Sequence, residues 1–280
     1  MGKFDGKVAL ITGAARGQGR SHAVRLAEEG ADIIAIDICD QIASAGHSMG
    51  TEDDLQKTVS LVEKFDRRIV TAKADVRDRA ALEESVSACV SELGRLDVVS
   101  VNAGIASTSQ VLDLEEQSWQ DVIDVNLTGA FHTVQATVPH IIAGGRGGSI
   151  TFTSSAMGLM AVPNLGHYTA TKHGVLGLMK TLALELGPQF IRVNAILPTN
   201  VDTDMIQNET ILKLFMPHLE KPTRADAELP DSNYVRANIL PIPWVDPVDI
   251  SNALVFLASD DARFVTGVSL PVDAGFLLKK

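Results

Sequence analysis

Cysteine is nearly absent. Two residues, Cys39 and Cys89, occur in 280, with no C-x-x-C pair and no zinc-type spacing, which excludes a disulfide framework and a cysteine metal site. Both lie in apolar, periodic stretches and are expected to be buried thiols. Basic charge is also short. Lys and Arg number 24 against 35 Asp and Glu, a formal net charge of −11. Nucleic acid and anionic membrane would repel such a surface, so neither is an expected partner. No apolar run approaches membrane-spanning length, and the opening residues Met1–Gly6 carry no apolar signal segment, so a soluble cytoplasmic protein is expected. His167 and His173 have no other histidines spaced as ligands around them. They read as pocket-lining or solvated, and no metal is expected. Linkers, low-complexity tracts and internal repeats are missing too, so residues 1–280 read as a single domain.

What the chain does have is apolar mass. Hydrophobic residues make up 45%, enough for a large core. Apolar runs alternate with amphipathic segments, the pattern of an α/β fold with a doubly wound parallel sheet and helices on both faces. Buried strands are expected at Val8–Ile11, at Ile33–Ile36 ending on Asp37, and around Ile69–Val70 ending near Asp75. Others run from Leu96 to Val101 ending on Asn102, from Ser149 to Phe152 ahead of Ser154 and Ser155, from Ile191 to Leu197 ending on Pro198, and from Val268 to Val272. Helices are expected from Gly17 to Gly30 and from Asp54 to Phe65. Polar and special residues therefore gather where strands end, the edge that holds ligands in open α/β sheets. Two long segments interrupt the pattern: an insertion over 38–54 and a proline-rich excursion over 199–245. Irregular segments of that length inside a compact domain are usually functional or mobile.

The stretch Thr12-Gly13-Ala14-Ala15-Arg16-Gly17-Gln18-Gly19 lies between the first strand and the first helix. Glycines there allow a tight turn and let backbone N–H groups approach a pyrophosphate at the helix N-terminus. Asp37 ends the second strand, where an acid binds both hydroxyls of the adenosine ribose and repels a 2′-phosphate. Ile38 and Cys39 supply no cation for such a phosphate, which favours NAD over NADP; Arg16, a base in the glycine loop, argues the other way. Asp75 is placed to bond the adenine amino group or to cap the following helix.

At the other end of the pocket, Tyr168 is followed four residues later by Lys172, and Ser155 precedes the tyrosine by thirteen. A phenol titrates near ~10, too high for a base at neutral pH. A nearby ammonium favours the phenolate, and residues four apart share one helical face. For alcohol oxidation, Tyr168 would take the hydroxyl proton while Ser155 donates a hydrogen bond to the substrate oxygen. Ser154 competes for that role, but the thirteen-residue spacing favours Ser155.

Taken together, the glycine loop, Asn102-Ala103-Gly104, Asn126, Ser155, Tyr168, Lys172 and Pro198 resemble, in order and spacing, the classical short-chain dehydrogenase/reductase family over nearly the whole chain. The resemblance implies a Rossmann-type fold and a catalytic set of Asn126, Ser155, Tyr168 and Lys172, with Asn126 supporting a water-mediated proton relay through Lys172. It implies that Asn102-Ala103-Gly104 borders the adenine and ribose region and steadies the sheet, and that Val201 and Thr203, after Pro198, contact the nicotinamide carboxamide and pyrophosphate. The dinucleotide set is then Gly13, Arg16, Gly17, Gln18, Gly19, Asp37, Ile38, Asp75, Val76, Asn102, Ala103, Gly104, Tyr168, Lys172, Pro198, Val201 and Thr203. Thr199 departs from the family, which commonly has glycine there, and so stiffens the turn. The long connection after Asp37, with the stretches PTNVDTDM and LPVDAGF, resembles the carveol-dehydrogenase-like, mycofactocin-coupled branch. Membership there implies an insertion that covers the NAD, a cofactor that exchanges poorly and a second redox carrier; the wider family implies a homotetramer.

The expected pocket wall is Met157, Met160 and Val162, with Met205, Ile206, Leu212, Phe215, Met216 and Trp244 from the excursion, or else these residues seal a core or subunit contact. Such a lining suits a hydrophobic alcohol or ketone, terpenoid, cyclic or steroid-like. An NADP(H)-linked reductase of 3-oxoacyl thioesters and a dinucleotide sensor without turnover are the competing readings. Asp37 argues against the first, and the intact Ser155, Tyr168 and Lys172 against the second.

Overall fold

Five apolar runs become strands buried along nearly their whole length, because helices cover both faces of the sheet. They are β1 (Val8–Thr12), β2 (Asp32–Asp37), β4 (Val98–Val101), β5 (Gly148–Thr153) and β6 (Ile191–Pro198). β3 (Ile69–Lys73) and β7 (Ser269–Val272) are only half-buried, because they form the sheet's two edges. In this computed structural model, which describes residues 2–279, the seven strands lie parallel in the order β3-β2-β1-β4-β5-β6-β7. The order reverses between β1 and β4, so the crevice opens beyond the carboxyl ends of those two strands.

Alternate residues of each strand serve opposite cores. Val8 and Leu10, Ile34 and Ile36, and Val193 and Leu197 pack with helices α3 (Arg79–Leu93), α5 (Gly129–Gly144) and α6 (Gly166–Leu186). Ala9 and Ile11, with Ile33 and Ala35, pack with α1 (Gly17–Glu28), α2 (Glu52–Val62) and α10 (Pro247–Ala258). Each fully buried aliphatic side chain of these cores contributes roughly 1.5–3 kcal/mol relative to exposure. Helix α4 (Glu116–Ile123) continues into α5 through a π-helical stretch, Asp124–Thr128. Such bulges often sit at functional positions, and this one carries Asn126.

Helix α2 begins at Glu52, ahead of the expected Asp54, because Thr51 and Asp54 form a reciprocal capping box. The excursion over 199–245 is more ordered than its composition suggests. It holds the short helices α7 (Glu209–Phe215), α8 (Arg224–Ala227) and α9 (Asn233–Arg236) around a third apolar cluster. There Tyr234 stacks on Phe215 with ring centroids 4.3 Å apart and meets Trp244 edge-on at 5.8 Å. Among the described residues no helix is long and apolar enough to cross a membrane.

Candidate active site

The turn after β1 needs glycine where the chain passes closest to itself. Gly13 has φ +68, and a Cβ there would stand 2.9 Å from the Cα of Ala103; a Cβ on Gly19 would meet the Gly13 carbonyl oxygen at 1.9 Å. The loop thus lies against the end of β4, and Asn102 binds the two together. Its backbone N–H donates to Thr12 Oγ1 at 3.1 Å, its Nδ2 donates to the Thr12 carbonyl at 3.0 Å, and its Oδ1 accepts from Thr153 Oγ1 at 3.2 Å. One side chain thus bonds across β1, β4 and β5 at the switch point.

Two cavities open from this edge and meet at Gln18, Asn102, Gly104, Thr203 and Met205. Every residue of the expected dinucleotide set lines one or both. In the first, Asp37 is 8% exposed, and its carboxylate accepts from Ala15 N at 2.9 Å and Cys39 N at 3.0 Å. Each oxygen keeps a second lone pair for a ribose hydroxyl. Arg16 is not free to meet a 2′-phosphate. Its guanidinium pairs with Asp204 at 3.0 Å and donates to Ser48 Oγ at 3.3 Å. Asp75 is not the cap of α3; Asp78 is, accepting from Ala81 N at 3.1 Å. Asp75 instead holds Arg77, which reaches Asp121 at 3.2 Å.

The insertion forms a wall of this first cavity through Ile42, His47, Met49 and Gly50. It is fastened at its root. Ser44 Oγ donates to the buried Asp121 at 2.6 Å, Gly46 N donates to the Ala106 carbonyl at 3.0 Å, and Ile42 enters the core. Burial and the neighbouring Arg16 push the His47 pKa down to about 4, so the imidazole is neutral at physiological pH.

The second cavity, of about 360 Å³, brings Ser155, Tyr168 and Lys172 together. Tyr168 and Lys172 lie on one face of α6, and the lysine Nζ stands 5.4 Å from the centre of the phenol ring while donating to the Thr153 carbonyl at 2.9 Å. Burial lowers Lys172 to about 8, still mostly cationic at pH 7. Tyr168 differs from expectation. Burial raises its pKa, against the downward pull expected of the neighbouring lysine charge. Ser154 is spent elsewhere, donating to the Lys172 carbonyl at 2.9 Å. Asn126 sits behind the site, 2% exposed, with its amide exchanging two hydrogen bonds with the Ile105 backbone at 2.8 and 2.9 Å. No side-chain hydrogen bond joins it to Lys172 among the described residues.

Several wall residues differ from expectation. Met157, Val162, Met205, Ile206 and Phe215 line the cavity, whereas Met160 does not. Leu212, Met216 and Trp244 turn inward to the excursion's own core. Ile211 and Leu214 take their place, with Phe215 one residue on, a spacing of three and four that a helical reading of 209–215 would have found. Phe276 also lines the cavity, with no local signal for it in the sequence. His167 is neither pocket-lining nor solvated: it is fully buried, with Nε2 2.7 Å from Ser107 Oγ. Both cysteines are buried and free, and no cluster of metal-binding side chains occurs among the described residues.

The sequence model for short chain dehydrogenases matches residues 7–211. Over 280 residues, all of both chains, the sequence is 54% identical to a (-)-trans-carveol dehydrogenase of Rhodococcus erythropolis. The crystal structure of a carveol dehydrogenase from Mycobacterium avium in complex with NAD superimposes with a TM-score of 0.97 at 56% identity, covering 100% of each chain. A short chain dehydrogenase from Mycobacterium paratuberculosis bound to NAD follows at 0.90 and 44% identity, covering 99% of this chain and 100% of the other.

Proposed function

The chain belongs to the short-chain dehydrogenase family, and on that footing we propose that it is an NAD-dependent oxidoreductase of hydrophobic secondary alcohols and their ketones, terpenoid-like in class. The observation that carries this reading is the meeting of Ser155, Tyr168 and Lys172 in a cavity that adjoins the glycine-loop cavity. The residues fit a nicotinamide dinucleotide: a turn with no room for a Cβ at Gly13 or Gly19, a helix N-terminus, and a buried carboxylate at the end of β2. When bound there, NAD⁺ would supply the hydride acceptor.

The protein's own residues place the alcohol and manage its proton. Ser155 donates to the substrate oxygen, and Tyr168, in the same cavity, takes the hydroxyl proton. Lys172, cationic and buried, stabilises the phenolate from beside the ring. Because burial raises Tyr168, alcohol oxidation accelerates as pH rises and ketone reduction as it falls. Asn126 acts as a positioning residue that holds Ile105 against the site. Asp37, together with an Arg16 already paired to Asp204, supports NAD over NADP. The apolar walls Met157, Val162, Ile206, Ile211 and Leu214 support a hydrophobic substrate.

The insertion over the first cavity supports a finer reading: the cofactor is retained, and electrons pass on to a second redox carrier such as mycofactocin. A homotetramer and a cytoplasmic site of action complete the proposal. The decisive experiment compares wild type with Tyr168→Phe on cyclic secondary alcohols. Hydride transfer falls by roughly 10²–10⁴ in the variant while dinucleotide binding persists. Two proteins that bind dinucleotide equally and turn over no alcohol or ketone would make the chain a sensor. Denaturing fresh protein and identifying the released nucleotide tests retention: tightly held NAD(H) supports the second-carrier reading, and free exchange with added NAD refutes it.

A further inference from the structure

Beyond β7 the chain turns back on itself. Ala274 and Gly275 are both left-handed, at φ 51 and 80, and a Cβ on Gly275 would stand 2.8 Å from Ile239. Asp273 stabilises the turn, accepting from Gly275 N at 3.0 Å and Leu277 N at 2.9 Å. The returning segment is fastened to the excursion. The Ala274 carbonyl accepts from Ile239 N and Leu240 N, both at 3.0 Å, and Lys279 Nζ donates to the Asn238 carbonyl at 2.6 Å. Asn238 itself is 1% exposed and held at both ends of its amide: Nδ2 donates to the Ile242 carbonyl at 2.7 Å and the Tyr234 carbonyl at 3.3 Å, and Oδ1 accepts from Thr199 Oγ1 at 3.4 Å. Thr199, the residue that departs from the family's glycine, thus joins the end of β6 to the same junction.

The product of this construction is one side chain in the alcohol cavity. Phe276 is the sole lining residue, among the described residues, that comes from beyond Phe215. An aromatic ring set by two left-handed residues and a hydrogen-bonded buried amide has little freedom to withdraw. The cavity's 360 Å³ lies near the small end of the roughly 300–1,000 Å³ typical of ligand sites, and Gln18, Asn102, Gly104, Thr203 and Met205 line it together with the first cavity. We infer that Phe276 is the specificity-setting wall of the alcohol cavity, admitting compact single-ring alcohols and excluding fused-ring ones.

This rests on the alcohol dehydrogenase reading, and the experiment separates the two. With NAD and an artificial electron acceptor present, so that a retained nucleotide is recycled, kcat/KM is measured for cyclohexanol and decahydro-2-naphthol. The proteins are wild type, Phe276→Ala, Phe276→Leu and Leu278→Ala; Leu278 is 77% exposed on the same segment. Expected is a rise of at least about tenfold in the ratio of bulky to small substrate for Phe276→Ala, the scale of discrimination that one large apolar side chain gives a pocket. Phe276→Leu shows a smaller rise and Leu278→Ala none. An unchanged ratio in Phe276→Ala, or an equal rise in Leu278→Ala, overturns the inference. Should none of the four proteins turn over either alcohol, the functional reading falls. Calorimetric binding of 2-decalone against cyclohexanone to the nucleotide-bound proteins then decides the wall: the same shift in ratio supports it, and no shift refutes it.

Discussion

Lys172 should make the protein less stable than it need be. Its ammonium is buried, which lowers its pKa from 10.5 to about 8 in the folded state. A base whose folded pKa is depressed loses its proton earlier when folded. Between about 8 and 10.5 the unfolded chain binds more protons, and wild-type stability rises with pH. Below about 8 the whole penalty is present: a gap of about 2.5 pKa units at 1.36 kcal/mol each is roughly 3 kcal/mol. Lys172→Met removes the charge but orphans the Thr153 carbonyl, which accepts from Nζ, and that costs about 1–3 kcal/mol. The variant, freed of nucleotide, should therefore be as stable as wild type at pH 7 or better by about 1–2 kcal/mol, while losing catalysis. Its relative advantage should shrink by roughly 2–3 kcal/mol between pH 7 and pH 10, as the wild-type lysine loses its proton in the folded state while the unfolded chain still holds it. Urea denaturation of both proteins at the two pH values measures this. A difference in unfolding free energy that does not change with pH would refute the reasoning, because it would mean that burial does not oppose the charge.

Asp37→Ala leaves the Ala15 and Cys39 amides without their acceptor and removes the charge facing the ribose; the ratio of kcat/KM for NAD over NADP should fall by about tenfold or more, at about 1.4 kcal/mol per tenfold, and an unchanged preference would remove the acid from its assigned role. Asp204→Asn breaks the pair with Arg16, whose partners are unequally exposed at 65% and 19%. Such a pair is worth at most about 1 kcal/mol, so release of bound NAD, followed by exchange with labelled NAD, should quicken by up to about fivefold, and added salt should quicken wild type alone. A change of a hundredfold, or none with salt in wild type, would show that something other than this ion pair closes the cavity.

The sheet and its polar edge are legible in the sequence for a physical reason. Strands covered on both faces must be apolar throughout, so Ile33–Ile36 and Val8–Ile11 announce themselves without their neighbours. The glycine loop and the Tyr168–Lys172 spacing are equally local. Other features depend on what the chain meets far away. Helices of four residues, such as Arg224–Ala227, are too short to show a period. Leu212 and Phe215 are alike in the sequence, but on a helix about two turns long Leu212 is buried in the excursion's core while Phe215 both packs on that core and reaches the cavity. Phe276 reaches the cavity through a turn beyond the sheet, and His167 is buried by elements that share no sequence with it. The raised Tyr168 has the same origin, because desolvation is a property of everything packed around the phenol.

Both irregular segments depart from the carboxyl end of a strand, the insertion from β2 and the excursion from β6. Within the strands, neighbouring residues serve opposite cores, as Ala9 and Leu10 do, so adding or deleting a single residue there would turn each lining inside out. Change in length is therefore tolerated chiefly off the sheet, and the two long segments here line the rim of the cavities. On such a scaffold, drift in loop size alters what is bound and how long it stays, and leaves the framework that performs the chemistry untouched.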